Sequence, residues 1–187
     1  MPFSARVFQI LIASPSDVGE ERDIAVQTIQ EWNNLNSADR ELVLLPLRWE
    51  THSSPEYGDP PQEVLNRQIV DRSDLLVGIF WTRIGTPTGA ADSGTLEEIE
   101  RVASQSKPVM LYFSRAKQDP DGIDLEQLAK LRAFKAKSSG KALIETFSSH
   151  DEFREKLKKQ LEFQIRILAL KKQKVLRRAQ SRPAKNN

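Results

Sequence analysis

The chain has 187 residues, 39% of them hydrophobic, enough for one domain with a substantial core and too few for two comfortable ones. It contains no cysteine and only two histidines, His52 and His150, which excludes disulfides and leaves no His or Cys cluster for a structural zinc site; a metal centre is not expected. The formal net charge of +2 hides an asymmetry, because residues 171–187 hold seven Lys or Arg and no acid, leaving 21 basic against 26 acidic residues in the rest, a balance of −5 that speaks against a basic nucleic-acid groove on the domain.

No run approaches the roughly 20 apolar residues that span a bilayer. The first six residues, Met-Pro-Phe-Ser-Ala-Arg, lack the apolar run of a secretion signal. The expectation is a cytoplasmic protein with no membrane contact. Residues 171–187 read as a basic carboxyl-terminal tail beyond a domain of residues 1–170. Its lysines and arginines suit the carboxyl end of a helix, and Pro183 suits a frayed, solvated end.

In chain order, a Val-, Ile- and Leu-rich strand is expected over residues 7–13. Ser16 and Asp17 then open a helix in which Asp17 and Glu20 have capping-box spacing and Ala25, Ile29 and Trp32 recur at helical intervals. A second strand covers residues 42–49. The irregular stretch 50–59 follows it, and loops of that length and composition are often functional. Pro60 and Pro61 start a helix through about Asp71, with Val64, Leu65 and Ile69 on one side. The third strand, residues 75–81, runs into a polar loop. A helix opened by Ser93-Gly94-Thr95 then carries Leu96, Ile99 and Val102. A fourth strand spans residues 108–114, and a helix from Asp124 to Lys137 is closed by Ser138-Ser139-Gly140 as a glycine stop. A fifth strand over residues 141–147 precedes a long helix with Phe153, Leu157, Leu161, Ile165 and Leu168 as its buried stripe.

Five nearly continuous apolar strands alternating with helices predict an α/β fold, a five-stranded parallel sheet covered on both faces. Ligands of such sheets collect outside the carboxyl ends of the strands, where the strand order reverses. Two loops meet there if the first strand neighbours the third. One is Ala13 to Asp17, whose Ser14, Ser16 and Asp17 either contact a phosphate or ribose or, as the commoner role, cap the following helix. The other carries Trp81 and Arg83, which suit stacking on a ring and pairing with a phosphate, or else closure of the core edge and a local ion pair.

Gly85, Gly89 and Gly94 are too scattered for a phosphate-cradling loop, and neither a Gly-Lys-Ser/Thr nor a Gly-x-Ser-x-Gly motif is present. Nucleotide hydrolysis of the P-loop kind and serine-hydrolase chemistry are therefore disfavoured. The remaining acidic candidates are Glu98 and Glu100. Both flank the Leu96-Ile99-Val102 stripe, and helical geometry does not choose between them. Glu98 also has capping-box spacing from Thr95, which supplies a purely structural explanation for it.

Taken together, Ile12-Ala-Ser-Pro-Ser-Asp-Val-Gly-Glu-Glu-Arg-Asp23, Gly78-Ile-Phe-Trp-Thr-Arg-Ile-Gly-Thr-Pro-Thr88 and Ser93-Gly-Thr-Leu-Glu-Glu98 resemble an uncharacterised family of TIR-like domains, which also stand ahead of STAND-type ATPase modules. The resemblance covers about residues 5–115. It implies a flavodoxin-like sheet, shared with TIR domains and nucleoside deoxyribosyltransferases, some of which cleave N-glycosidic bonds with a helix-borne glutamate. Asp92-Ser-Gly-Thr95-x-x-Glu98 matches that spacing, so the resemblance selects Glu98 as the catalytic residue, with Asp92, Ser93 and Thr95 as ribose or positioning contacts and Glu100 as a bystander.

The function so implied is an NAD-cleaving nucleosidase that releases nicotinamide, with NAD as substrate and no cofactor. Trp81 and Arg83 would shape the pocket, and residues 14–17 would lie near the phosphates or ribose. Self-assembly into a homo-oligomer, a STAND ATPase partner and a place in prokaryotic defence signalling are further implications. The alternatives are a non-catalytic interaction module and a nucleoside deoxyribosyltransferase.

Overall fold

A computed structural model describes residues 2–88, 92–140 and 142–180, with side chains as far as Lys171. Five strands, β1 (Arg6–Ala13), β2 (Leu42–Leu47), β3 (Leu75–Phe80), β4 (Val109–Ser114) and β5 (Ile144–Phe147), form one sheet in the order β2-β1-β3-β4-β5. Every pairing is parallel. This is the parallel sheet covered on both faces that the alternation of elements predicts and the flavodoxin-like sheet that the resemblance implies, and the order reverses between β1 and β3.

The helices are α1 (Gly19–Arg40), the four-residue α2 (Trp49–His52), α3 (Pro61–Gln68), α4 (Gly94–Ser104), α5 (Leu125–Ser139) and α6 (His150–Gln180). They divide between two cores. On one face Phe8, Ile10, Val77 and Tyr112 of the sheet meet Ile29 and Trp32 of α1 and the Phe153-Leu157-Leu161-Ile165-Leu168 stripe of α6. On the other, Leu11, Leu76, Phe80 and Leu111 meet Leu96, Ile99 and Val102 of α4 and Leu131 of α5. All six residues of β3 are buried, as a central strand covered on both sides requires. Pro46, which cannot donate to a ladder, sits in edge strand β2.

Several local expectations are corrected. The first helix begins at Gly19 rather than at Ser16, because Asp17 spends its carboxylate elsewhere and Val18 is the capping position without a side-chain bond. The second strand stops at Leu47, and Trp49 and Glu50 begin α2 inside the stretch expected to be irregular. The helix after Pro60 gives way to a 3₁₀ turn at Val70–Arg72. Gly140 closes α5 with φ −81°, so its freedom to adopt a left-handed backbone is not used. Lys141 lies outside the described residues, and β5 begins at Ile144. Helix α6 continues past residue 170 to Gln180, so its backbone does not break where the basic tail begins.

Candidate functional site

The loops after β1, β2 and β3 open into a cleft of about 680 Å³ at the carboxyl end of the sheet, on the switch between β1 and β3. Ser14 and Ser16 line it from β1, Trp49 and Glu50 from β2, and Arg83 and residues 85–88 from β3. Gln62 of α3, Thr95 and Glu98 of α4 and Gln127 of α5 complete it.

Helix α4 explains why Glu98 is there. Ser93 is its N-cap, with Oγ accepting the Leu96 N-H at 3.1 Å. That bond removes Thr95 from the capping role, and Glu98, five residues after the cap, has no orphan backbone donor to satisfy. With Leu96, Ile99 and Val102 committed to the core, Glu98 turns into the cleft while Glu100 lies exposed outside it. Of the two glutamates that helical geometry could not separate, Glu98 is the one at the cleft.

Glu97 and Glu98 are adjacent carboxylates with opposite fates. Glu97 accepts from Asn66 Nδ2 at 2.6 Å and from Thr88 Oγ1 at 2.8 Å, which ties α4 to α3 and to the loop after β3. Glu98 is half-buried in the cleft wall, which Gln62 of α3 also lines. Desolvation outweighs the lowering influence of the Gln62 amide, and the charges of Glu97 and Glu50 add to the rise, so the carboxyl is pushed up to about 7. It can exchange a proton at neutral pH.

Asp17 has a structural task. Its Oδ2 accepts from the Thr82 N-H at 2.9 Å, the Thr82 hydroxyl at 3.0 Å and the Arg83 N-H at 3.1 Å, so it pins the loop after β3 to the loop after β1. It neither caps α1 nor lines the cleft, and its buried Oδ1 has no hydrogen-bond partner among the described residues. Ser14 lines the cleft, but its Oγ is buried beneath the surface without a partner among the described residues; Ser16 is exposed at the cleft wall.

Trp81 does not reach the cleft. Its indole N-H donates to the Ala116 carbonyl at 3.0 Å and its ring packs on the core beside α1 and α6, the core-closing role rather than the stacking one. Arg83 does reach the cleft and is exposed. Among the described residues its guanidinium has no carboxylate partner, so it is available to an anion. Asp92 is exposed and does not line the cleft, and Ser93 is buried as the cap; of the Asp92-Ser93-Thr95 set only Thr95 faces the cavity.

Residues with no motif of their own complete the site. Gln127 Oε1 accepts from the Ile84 and Gly85 N-H groups, both at 3.1 Å, which fixes the turn where Gly85 has φ +111°. Arg22 of α1 pairs with Glu50 of α2 at 2.5 Å across the cleft wall. Gln62 and Asn66 are one helical turn apart on α3, and that i, i+4 spacing is the only trace they leave in the sequence. Among the described residues no cluster of His, Cys, Asp and Glu could hold a metal ion, and no helix is long and apolar enough to cross a membrane.

The model of a protein family described only as a domain of unknown function, DUF4062, matches residues 9–162. The chain belongs to that family. No curated protein matches this DUF4062 chain. Similar solved structures include a conserved protein from Enterococcus faecalis V583, at 19% identity and a TM-score of 0.43, with 83% of this chain and 99% of that one covered. The translation elongation factor SelB from Methanococcus maripaludis is 13% identical with a TM-score of 0.48, covering 89% of this chain and 36% of that one. Flavodoxin 1 from Bacillus cereus is 16% identical with a TM-score of 0.40, covering 84% and 97%. Likenesses this distant carry no functional argument.

Proposed function

We propose that this chain is an NAD-cleaving nucleosidase, in which the cleft takes NAD or a related nucleotide and Glu98 supports hydrolysis of the bond between ribose and nicotinamide. The observation that carries the reading is Glu98 itself, a desolvated carboxylate facing an open cleft at the strand switch and not needed as a helix cap, since Ser93 takes that role. Its companions fit the same substrate. Arg83 offers an exposed cation to a phosphate, and Thr95 a hydroxyl to a sugar.

Breaking the ribose C1-N bond sends its electron pair to the ring nitrogen, so nicotinamide leaves neutral while positive charge develops on the sugar. An ionised Glu98 stabilises that charge, water adds its oxygen to C1, and a proton is released. The raised pKa does not oppose this role, since a cationic nicotinamide ring brought beside the carboxyl favours its ionised form. The kinship with TIR-like domains, assembly into homo-oligomers that switch the activity on, a STAND ATPase partner and NAD depletion in prokaryotic defence belong to the same proposal and rest on the motif resemblance.

A binding-only reading has one observation in its favour, an apolar groove along β4, β5 and α6 with Leu143 and Phe163 exposed beside it. The test is nicotinamide release from NAD by wild type and Glu98→Gln at high protein concentration with a crowding agent, each with a melting curve. Release by wild type alone, with both chains folded, supports the nucleosidase. Silence of both in assemblies verified by light scattering transfers the reading to the binding module, and equal release by both removes Glu98 from the chemistry. Competition by deoxynucleosides would point instead to deoxyribosyl transfer.

A further inference from the structure

We propose that Trp49 is the ring-binding residue of the cleft, an indole face on which the purine base of the nucleotide stacks. The inference rests on the reading of the cleft as a dinucleotide site with Glu98 at the nicotinamide ribose, and it goes beyond that reading in placing the other ring.

The three tryptophans of the chain are used differently. Trp32 is buried; its indole N-H donates to Glu162 at 2.7 Å, and the Arg40 guanidinium carbon lies 5.6 Å from its ring centre. Trp81 is held by the Ala116 carbonyl and the core. Trp49 is 51% exposed, belongs to neither core and lines the cleft. Among the described residues its indole N-H has no hydrogen-bond partner and its ring meets no other ring or cation. An indole offers a large apolar face, and one left bare on a cleft wall suits a flat aromatic ligand. The stacking role that the sequence offered to Trp81 falls instead to a residue just after β2.

The backbone that carries this ring is fixed from both sides. Arg48 reaches Asp23 at 2.9 Å and Glu50 reaches Arg22 at 2.5 Å, so the residues before and after Trp49 are both tied to the first turns of α1. Ser53 Oγ donates to the Trp49 carbonyl at 2.6 Å and closes the turn of α2. A ring presented on an anchored backbone loses less freedom when a base settles on it than one on a loose segment.

Strand order decides which ring it takes. Trp49 follows β2, whereas Arg83, Thr95 and Glu98 follow β3, and β1 lies between; the strand ends from which the two groups depart are two spacings apart, about 10 Å. The bond that Glu98 serves is at the nicotinamide end of NAD. With that end on the β3 side, a dinucleotide extended across the cleft brings its adenine to the β2 side, where Trp49 stands.

The experiment is a titration of the full chain with AMP, which carries the adenine and no nicotinamide bond, followed by tryptophan fluorescence and by calorimetry, with a melting curve for each variant. AMP is expected to quench emission in wild type and in Trp81→Phe but not in Trp49→Phe, whose calorimetric affinity stays within about threefold because the smaller ring still stacks. Trp49→Ala is expected to weaken AMP by about tenfold or more. Nicotinamide mononucleotide, tested on chains that also carry Glu98→Gln to spare the ligand, should bind within about twofold with and without Trp49→Ala.

No AMP binding by wild type at millimolar concentration, or an unchanged AMP affinity in a folded Trp49→Ala, overturns the proposal. If Trp49→Ala does not fold, a quench that persists in Trp49→Phe does so. A loss for nicotinamide mononucleotide as large as for AMP overturns the assignment of the ring. Nicotinamide release from NAD is followed in the same chains. AMP binding that depends on Trp49 in a chain whose wild type releases nothing keeps the purine site and removes the nucleosidase reading; release by wild type with AMP affinity unmoved in Trp49→Ala does the reverse.

Discussion

Two hollows of about the same size, roughly 680 Å³ each, open on opposite parts of this molecule and differ in what they leave unsatisfied. The groove along β4, β5 and α6 is apolar, and four of its polar side chains are paired: Tyr112 donates its hydroxyl to Gln160 at 2.6 Å, Glu145 is held below its usual range by Lys156, and Glu162 accepts from Trp32 and Arg40. The cleft at the strand ends instead holds a carboxyl pushed up by desolvation and an exposed guanidinium with no carboxylate partner among the described residues. Volume does not distinguish a reactive site from a packing defect or a docking groove. Electrostatic groups that burial leaves uncompensated do.

The largest effect that sharpens this contrast is on turnover. Glu98→Gln is expected to reduce nicotinamide release by at least about 10²-fold, as removal of a charge-stabilising group does, with kcat/KM of the wild type rising with pH through a midpoint near 7. A flat pH profile would break the link between the desolvated carboxylate and the chemistry. Asp17→Ala comes next, because it strips one acceptor from three donors that join the β1 and β3 loops; a loss of about 2–3 kcal/mol in denaturant unfolding is expected.

The same Glu98 also shapes stability against pH, with a sign opposite to the usual carboxylate. Its pKa is raised from 4.5 to about 7 in the folded chain, so the unfolded chain holds fewer protons between those values and stability falls as pH rises through that window. Glu98→Gln removes the penalty. Its advantage over wild type should be absent near pH 4 and reach on the order of 1–3 kcal/mol at pH 8, read from melting curves at both. Arg83→Ala is expected to act on binding, raising KM for NAD about tenfold with a smaller change in kcat. Equal loss in both constants would instead put Arg83 in the transition state.

How far the sequence foretold this contrast depends on the range of the interactions involved. The five strands, the sheet covered on both faces and the α6 stripe of Phe153, Leu157, Leu161, Ile165 and Leu168 were legible because each is written in local periodicity. Glu98 was legible only through its motif. Its spacing from Thr95 imitated a capping box, and Ser93, two residues earlier, took the cap. Asp17 was misread for the same reason, since a local helix-capping pattern competes with a contact 65 residues away at Thr82 that no window along the chain contains. Trp81 could close the core or face the cleft, and what decided it was the Ala116 carbonyl, 35 residues on. Gln62 and Asn66 were invisible because amides at i, i+4 on a short helix have no signature until the partner helix brings Glu97 and Glu98 against them.

The smallest effect is expected in the other hollow. Phe163 is 62% exposed on α6 beside the apolar groove, so Phe163→Ser removes little buried surface and should change folding stability by no more than about 0.5 kcal/mol. Turnover per chain should also stay at the wild-type value, because the sheet separates the core face under α6 from the face on which α4 presents Glu98. If instead Phe163→Ser silences nicotinamide release while the melting curve is unchanged, the groove is where chains must meet for the cleft to work. The two hollows would then be halves of one device, and light scattering of the same variant would show the lost assembly directly.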